Sequence, residues 1–112
     1  MQKIALAIYQ LNTTEGCKVT ISAQGTGWLV IAAIDTTGLA ASNGVPIVIT
    51  PAMLDGHMSY HRLNLVLPFS PGSPTTASYT VKIADDAGTV LDTIVRTPNS
   101  DIHLPITLWV VA

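Results

Sequence analysis

Apolar and polar residues alternate along much of the chain in short runs, as in residues 17–23 and 78–84. A period of two residues turns every second side chain to the same face, which is typical of a strand with one buried face. Residues that favour turns, such as Asn43-Gly44 and Asp55-Gly56, separate the runs. The pattern predicts about eight strands, over residues 3–10, 17–23, 28–34, 45–49, 61–67, 78–84, 90–96 and 106–111.

Two of these predicted strands, 28–34 and 106–111, are apolar at nearly every position. Such a strand needs cover on both faces, and in a small domain a second sheet covers only one of them. A neighbouring subunit is a candidate for the other cover.

Residues 50–62 break the alternation. Thr50 is a residue type that caps helices, and Pro51 fits a first helical turn because its missing N–H needs no partner there. Asp55-Gly56 then ends the segment. We expect at most one short helical turn before the strand that starts at His61.

The composition agrees with an all-β protein, because Val, Ile and Thr are abundant and favour strands. The 112 residues match the length of one domain, so we expect a single domain over residues 1–112. The predicted fold is an antiparallel two-sheet β-sandwich. Its strand connections are expected to be Ig-like or jelly-roll-like.

Residues 77–91, with the sequence ASYTVKIADDAGTVL, end a strand in a D-x-x-G turn. This stretch resembles the late hairpin of immunoglobulin-like and fibronectin-type modules in bacterial and phage proteins. The resemblance implies a sandwich fold and no catalytic residue. It also gives Tyr79 the place of a tyrosine-corner residue, whose hydroxyl bonds to nearby backbone. The chain departs from antibody domains in having one cysteine, Cys17, and therefore no internal disulfide.

Charged residues are scarce, at 11% of the chain, while 48% of the residues are hydrophobic. This balance excludes a disordered chain. The net charge of -2 provides no basic surface for nucleic acid, and no apolar run reaches the roughly 18 residues of a membrane helix. Interface cores are poor in charge, so we expect a homo-oligomer, with another protein partner as an open alternative.

The segment from Asp55 to Arg62 concentrates the polar chemistry of the chain. Asp55, His57, Tyr60, His61 and Arg62 are the candidate ligand-binding residues. On a helix, His57 and His61 would share a face and could hold a metal ion. On a strand they would lie roughly 13 Å apart, too far for one ion. The alternative is a polar turn leading into a strand, with solvated histidines.

No other group of residues predicts a catalytic or cofactor site. No nucleophile elbow, zinc-protease motif or phosphate loop is present in the sequence, so we expect no enzyme activity and no cofactor. Asp85-Asp86 is predicted to be a turn, and Cys17 a buried structural residue. Trp28 and Trp109 lie in the apolar runs and are candidate interface residues; stacking on a sugar ring is their alternative role.

The start of the chain, residues 1–9, has an apolar stretch too short for a signal peptide, so we read it as a strand. Cytoplasmic synthesis is the default, while the final location, a virion or an exported assembly included, stays open. The sequence therefore predicts a non-enzymatic structural or interaction module that self-associates. A phage or secreted-assembly component is one example. The alternative function is a small lectin-like or metal-binding β-sandwich.

Overall fold

The computed structural model describes residues 1–23, 30–55, 59–67, 79–96 and 102–111. Within these ranges the protein is built of ten strands and one 3₁₀ turn at Pro51–Leu54, which confirms the all-β prediction. The strands are β1 Gln2–Ala5, β2 Ile8–Asn12, β3 Cys17–Ala23, β4 Ile31–Ile34, β5 Thr37–Leu39, β6 Ile47–Ile49, β7 Tyr60–Leu67, β8 Tyr79–Asp85, β9 Val90–Arg96 and β10 Ile102–Val111.

The strands form two sheets. The six-stranded sheet has the order β1-β2-β10-β7-β4-β5, and the four-stranded sheet has the order β6-β3-β8-β9. All neighbours are antiparallel except β2 and β10, which run parallel. The expectation of purely antiparallel sheets is therefore wrong for this pair. The parallel pairing places the beginning of the chain beside its end in the middle of the larger sheet.

Both sheets contribute to one hydrophobic core. Leu11, Leu63 and Leu108 enter it from the six-stranded sheet, and Val19 and Ile83 enter it from the four-stranded sheet. Each of these side chains is at most 1% exposed, so truncating any of them to alanine removes contacts on all sides and costs about 2–5 kcal/mol for a leucine. The alternating pattern in the sequence arises because one face of each sheet faces this core.

The predicted first strand, 3–10, is in fact two strands that form a hairpin. β1 pairs with β2 through Lys3 opposite Tyr9, and the chain reverses between Ala5 and Ile8. Ala7 takes a left-handed backbone conformation, with a φ of 57°. Alanine is an unusual residue for such a turn, because its Cβ disfavours positive φ. The sequence therefore carried no turn signal here.

Gly38 lies within a strand, although the sequence suggests a break at this residue. It sits in the edge strand β5 opposite Ala33 of β4, and a Cβ at this glycine would meet nothing within 4 Å. The preceding strand β4 is apolar on both faces, as expected, and its cover by another subunit stays a prediction. Ala32 and Ile34 are buried, whereas Ile31 on the other face is 47% exposed.

The last strand is longer than predicted, because β10 begins at Ile102 and includes Pro105. Pro105 pairs with Asn64 of β7. On the other edge of β10, pairing with β2 starts only at Thr107, whose N–H donates to the Ala7 carbonyl. Pro105, two residues before Thr107, has no N–H to donate on this edge. β2 does not pair with β10 at that position, so the missing donor is tolerated.

The predicted helical turn is present at Pro51–Leu54, and Leu54 is buried. Thr50 occupies the position before it, but its side chain makes no capping hydrogen bond. Within the described residues, no helix is long and apolar enough to cross a membrane.

Candidate functional site

The alternation of β7 separates the residues that the sequence grouped between Asp55 and Arg62. Tyr60 and Arg62 are exposed on the outer face of the six-stranded sheet, while His61 points to the core and is only 4% exposed. Asp55 follows the 3₁₀ turn and is exposed. His57 lies outside the described residues. The described members of the group therefore face opposite sides of the sheet and do not form one site.

The buried imidazole of His61 is held by Asp35, in the turn between β4 and β5. Its Nδ1 lies 2.7 Å from Asp35 Oδ2, and the other carboxylate oxygen accepts the Arg62 N–H at 3.0 Å. Partial burial acts to raise the pKa of Asp35, but these hydrogen bonds hold it below its ordinary value. Nothing in the sequence spacing pointed to Asp35, which is 26 residues from its partner.

The Nε2 atom of His61 is buried and has no hydrogen-bond partner in the described structure. A carboxylate that orients a histidine also occurs in metal sites and catalytic triads. However, no set of three His, Cys, Asp or Glu residues in the described ranges is placed to hold a metal ion. No described hydroxyl or thiol is bonded to Nε2 as a nucleophile would be. The proposed metal pair with His57 stays a prediction.

Tyr60 and Trp109 form an aromatic pair on the outer face of the six-stranded sheet. They lie opposite each other on β7 and β10, with ring centroids 5.7 Å apart and planes 9° from parallel. Tyr60 is 59% exposed and Trp109 is partly buried. The other predicted interface residue, Trp28, lies outside the described ranges. The sequence singled out both rings of the pair but gave no sign that they meet.

This aromatic pair continues across the sheet into two glutamines. Gln10 of β2 is the neighbour of Trp109, and Gln2 of β1 is the neighbour of Gln10. We call Gln2, Gln10, Trp109 and Tyr60 the cross-strand row. A cavity of about 250 Å³ adjoins the amide end of this row, and Asn12 and Val111 also line it.

Glu15 also lines this cavity, but its carboxylate is already engaged. It accepts the Asn12 N–H at 3.2 Å and a hydrogen bond from the terminal ammonium group of Met1. The contact with the ammonium group is the main reason that the pKa of Glu15 lies below its ordinary value. Asn12 Oδ1 likewise accepts the N–H and the hydroxyl of Thr14, so among the described residues the side-chain amides left for a ligand are those of Gln2 and Gln10.

The edge strands β1 and β9 meet along one side of the molecule through a polar contact. Lys3 Nζ lies 3.1 Å from Asp92 Oδ2, and the Tyr9 hydroxyl donates to the same oxygen at 2.6 Å. Burial, together with this hydrogen bond, raises the pKa of Tyr9, and the hydrogen bond from Tyr9 is the largest cause that lowers the pKa of Asp92. The contact links the two sheets at their edges.

Exposed aliphatic side chains lie close in sequence to the two residues of this polar contact. Five of the ten exposed large hydrophobic residues in the described ranges lie within three positions of Lys3 or Asp92 along the chain. We call this set the β1/β9 side. It consists of Ile4, Leu6, Val90, Leu91 and Val95, with Leu6 the most exposed at 72%.

The remaining candidates from the sequence have structural roles. Cys17 is buried in the core, and burial raises the pKa of its thiol to about 12, so the reactive thiolate is disfavoured. Asp85 accepts the Thr89 N–H within its own turn. Asp86 accepts the Gly16 N–H at 2.9 Å, at a close approach where a Cβ on this glycine would lie 2.2 Å from the Ile49 carbonyl oxygen.

Comparison with known proteins gives no match: no family model fits the chain, and no curated protein or solved structure is significantly similar to it.

Proposed function

We propose that the protein is a non-enzymatic structural or interaction module that self-associates through the β1/β9 side. The observation that carries the proposal is that, among the described residues, half of the exposed large hydrophobic side chains belong to β9, or to β1 and the turn that follows it, and these two strands meet through Lys3 and Asp92. Exposed large hydrophobic residues that concentrate on two neighbouring strands mark an interaction site more often than scattered single residues do. A component of a phage particle or of a secreted assembly is a role of this kind.

The chemistry of the β1/β9 side favours a second copy as its partner. Ile4, Leu6, Val90 and Leu91 are purely aliphatic, so a matching surface must also be apolar, and the chain itself supplies one. The charge of Lys3 is already compensated by Asp92. A symmetric contact between two copies would therefore bury hydrocarbon without burying an unpaired charge.

We expect side chains, rather than a continuous intermolecular sheet, to make this contact. An edge strand can pair with another chain only where its N–H and C=O groups are available. In β9 the Thr93 N–H already bonds to Asp92 Oδ1 at 2.9 Å. The edge is thus partly blocked, while the apolar side chains around it stay exposed.

We also propose that the two sheets form a β-sandwich with Ig-like or jelly-roll-like connections. The single core shared by the two sheets supports this proposal. The parallel neighbours β2 and β10 are its least expected feature.

The test of self-association is the absolute mass of the wild-type protein in solution. Size-exclusion chromatography with light scattering, across a hundredfold range of concentration, should show a multimer of the 11.8 kDa chain. Leu6→Lys should shift the distribution towards the monomer, because a charged side chain replaces the most exposed apolar one. A wild-type monomer at every concentration would contradict the proposal.

A further inference from the structure

We propose that the cross-strand row binds a neutral oligosaccharide, with one sugar ring on the aromatic end and a ring further along the same oligosaccharide in the cavity beside the amide end. This site lies on the outer face of the six-stranded sheet. Its residues differ from those of the β1/β9 side, although Gln2 and Ile4 both lie in β1, and the proposal does not depend on self-association.

The aromatic pair lies on the outer face of the six-stranded sheet. Of the four aromatic residues in the described ranges, Tyr9 and Tyr79 are buried, whereas Tyr60 and Trp109 lie together on one outer face. One face of the Tyr60 ring packs on Trp109. On the side of Tyr60 away from Trp109 the next strand is β4. It pairs with β7 between Leu63 and Val66 and does not reach Tyr60. The exposed aromatic face suits the C–H face of a sugar ring.

The side-chain amides of Gln2 and Gln10 continue the row beyond the aromatic pair. Within the described structure the side-chain amides of Gln2 and Gln10 have no hydrogen-bond partner. Each amide offers donors and an acceptor, which matches sugar hydroxyls, since these also donate and accept. An apolar protein surface on this row would leave the amides buried without hydrogen-bond partners, which is unfavourable.

The size and charge of the cavity limit which ligand it can hold. Its volume of about 250 Å³ is smaller than the pockets of roughly 300–1,000 Å³ that enclose drug-sized ligands, so it suits a single ring. The Glu15 carboxylate at its wall is engaged by backbone and terminal N–H groups. The hydrogen-bonding groups left for a ligand are therefore neutral, and the ligand should be neutral too.

The experiment is an NMR titration of the wild-type protein with a panel of neutral oligosaccharides: maltoheptaose, cellohexaose, chitohexaose, galactotetraose and mannohexaose. The indole N–H signal of Trp109 is assigned by its loss in Trp109→Phe. We expect at least one sugar to shift this signal and the Gln10 side-chain amide signals together in a saturable way. No shift with any of the five at millimolar concentration would overturn the proposal.

Variants then locate the binding. Tyr60→Ala and Gln10→Ala should each lower the affinity at least fivefold, and Trp109→Ala at least tenfold. Tyr60→Phe should retain most of it, because the ring is kept. Lys82→Ala, on the outer face of the other sheet, is the matched control and should not change it. If Trp109→Ala fails to fold, Tyr60→Ala and Gln10→Ala still decide the result. Unchanged affinity in those two variants would overturn the proposal.

The same variants separate this site from a protein interface. The mass of Tyr60→Ala in solution should equal that of the wild-type protein. If Tyr60→Ala loses self-association, the face is a contact between copies, which overturns the saccharide proposal and moves the interface away from the β1/β9 side. If Leu6→Lys alone loses self-association, the two surfaces are independent, as proposed.

Discussion

The β1/β9 side and the cross-strand row are both exposed, but their chemistry differs. The β1/β9 side presents aliphatic side chains, such as Leu6 and Val90, on the two strands whose polar contact is already satisfied. The cross-strand row combines the rings of Tyr60 and Trp109 with amides that no group in the described ranges engages. Exposure alone therefore does not identify a partner. The hydrogen-bonding groups beside the apolar atoms decide whether a surface suits another hydrocarbon surface or a hydroxyl-rich ligand.

The two surfaces also differ in what lies beneath them. Under the cross-strand row, Leu11 and Leu108 fill the core and are at most 1% exposed. Beside the β1/β9 side, Tyr9 and Asp92 make a polar link between the edges of the two sheets. The shape of the β1/β9 side should therefore depend on this one link. The shape of the row should depend on ordinary apolar packing.

The largest effect in this comparison is expected for Tyr9→Phe. It removes the hydrogen bond to the Asp92 carboxylate, and bonds to charged groups contribute about 1.5–3 kcal/mol to stability. We expect a loss of about 2 kcal/mol in urea unfolding and weaker self-association, while saccharide binding stays unchanged. Tyr60→Phe is the matched control, because its hydroxyl lies on an exposed ring, and it should change stability by less than about 0.5 kcal/mol. Equal losses in the two variants would show that the Tyr9–Asp92 link is not special.

The second effect is on acid stability. The pKa of Asp92 is lower in the folded than in the unfolded protein, so its contribution is present above the ordinary aspartate pKa of about 4 and is lost as the pH falls below it. Asp92→Asn should therefore flatten the fall in stability below about pH 4, measured by urea unfolding.

Asp35→Asn is the comparison variant for acid stability, because the pKa of Asp35 is also lowered. It should also flatten the fall in stability at acid pH. Only Asp92→Asn should weaken self-association as well, since Asp35 lies away from the β1/β9 side. If Asp92→Asn loses stability at acid pH as steeply as the wild-type protein does, the role given to this carboxylate is contradicted.

The smallest effect is expected for Ala7→Gly, in the hairpin that carries Leu6. Glycine adopts the positive φ of this position without the Cβ clash, so stability should rise by up to about 1 kcal/mol. Ala5→Gly, in the adjacent strand β1, should instead lower it by roughly 0.5–1 kcal/mol. Thermal unfolding of the two variants measures both changes. Self-association should persist in Ala7→Gly, because the aliphatic side chains are unchanged.

The sequence predicted the strands best where turn residues flank a clear alternation. The strands at 17–23 and 90–96 have the predicted bounds. The hairpin at Ala7 was missed because alanine is not a turn-forming residue. The short strand with Gly38 was missed because glycine usually interrupts strands. The parallel pairing of β2 with β10 depends on contacts between the two ends of the chain, which no local pattern reports.

The candidate site was less predictable than the fold. The sequence placed Tyr60, His61 and Arg62 in one cluster, but strand alternation sends His61 to the core. Its partner Asp35 and the pairing of Tyr60 with Trp109 arise from tertiary contacts. A strand assignment that included Tyr60 would have separated the inward and outward residues. The register between strands cannot be obtained from either strand alone.

The most direct test of self-association through the β1/β9 side compares two lysine substitutions on opposite edges of the four-stranded sheet. Val90 in β9 is 48% exposed and Val48 in β6 is 49% exposed, so the two changes are matched in burial. Sedimentation velocity should show that Val90→Lys weakens self-association at least about tenfold, a change of about 1.4 kcal/mol, while Val48→Lys behaves like the wild-type protein. Equal sedimentation of the two variants, or dissociation of Val48→Lys alone, would contradict the account.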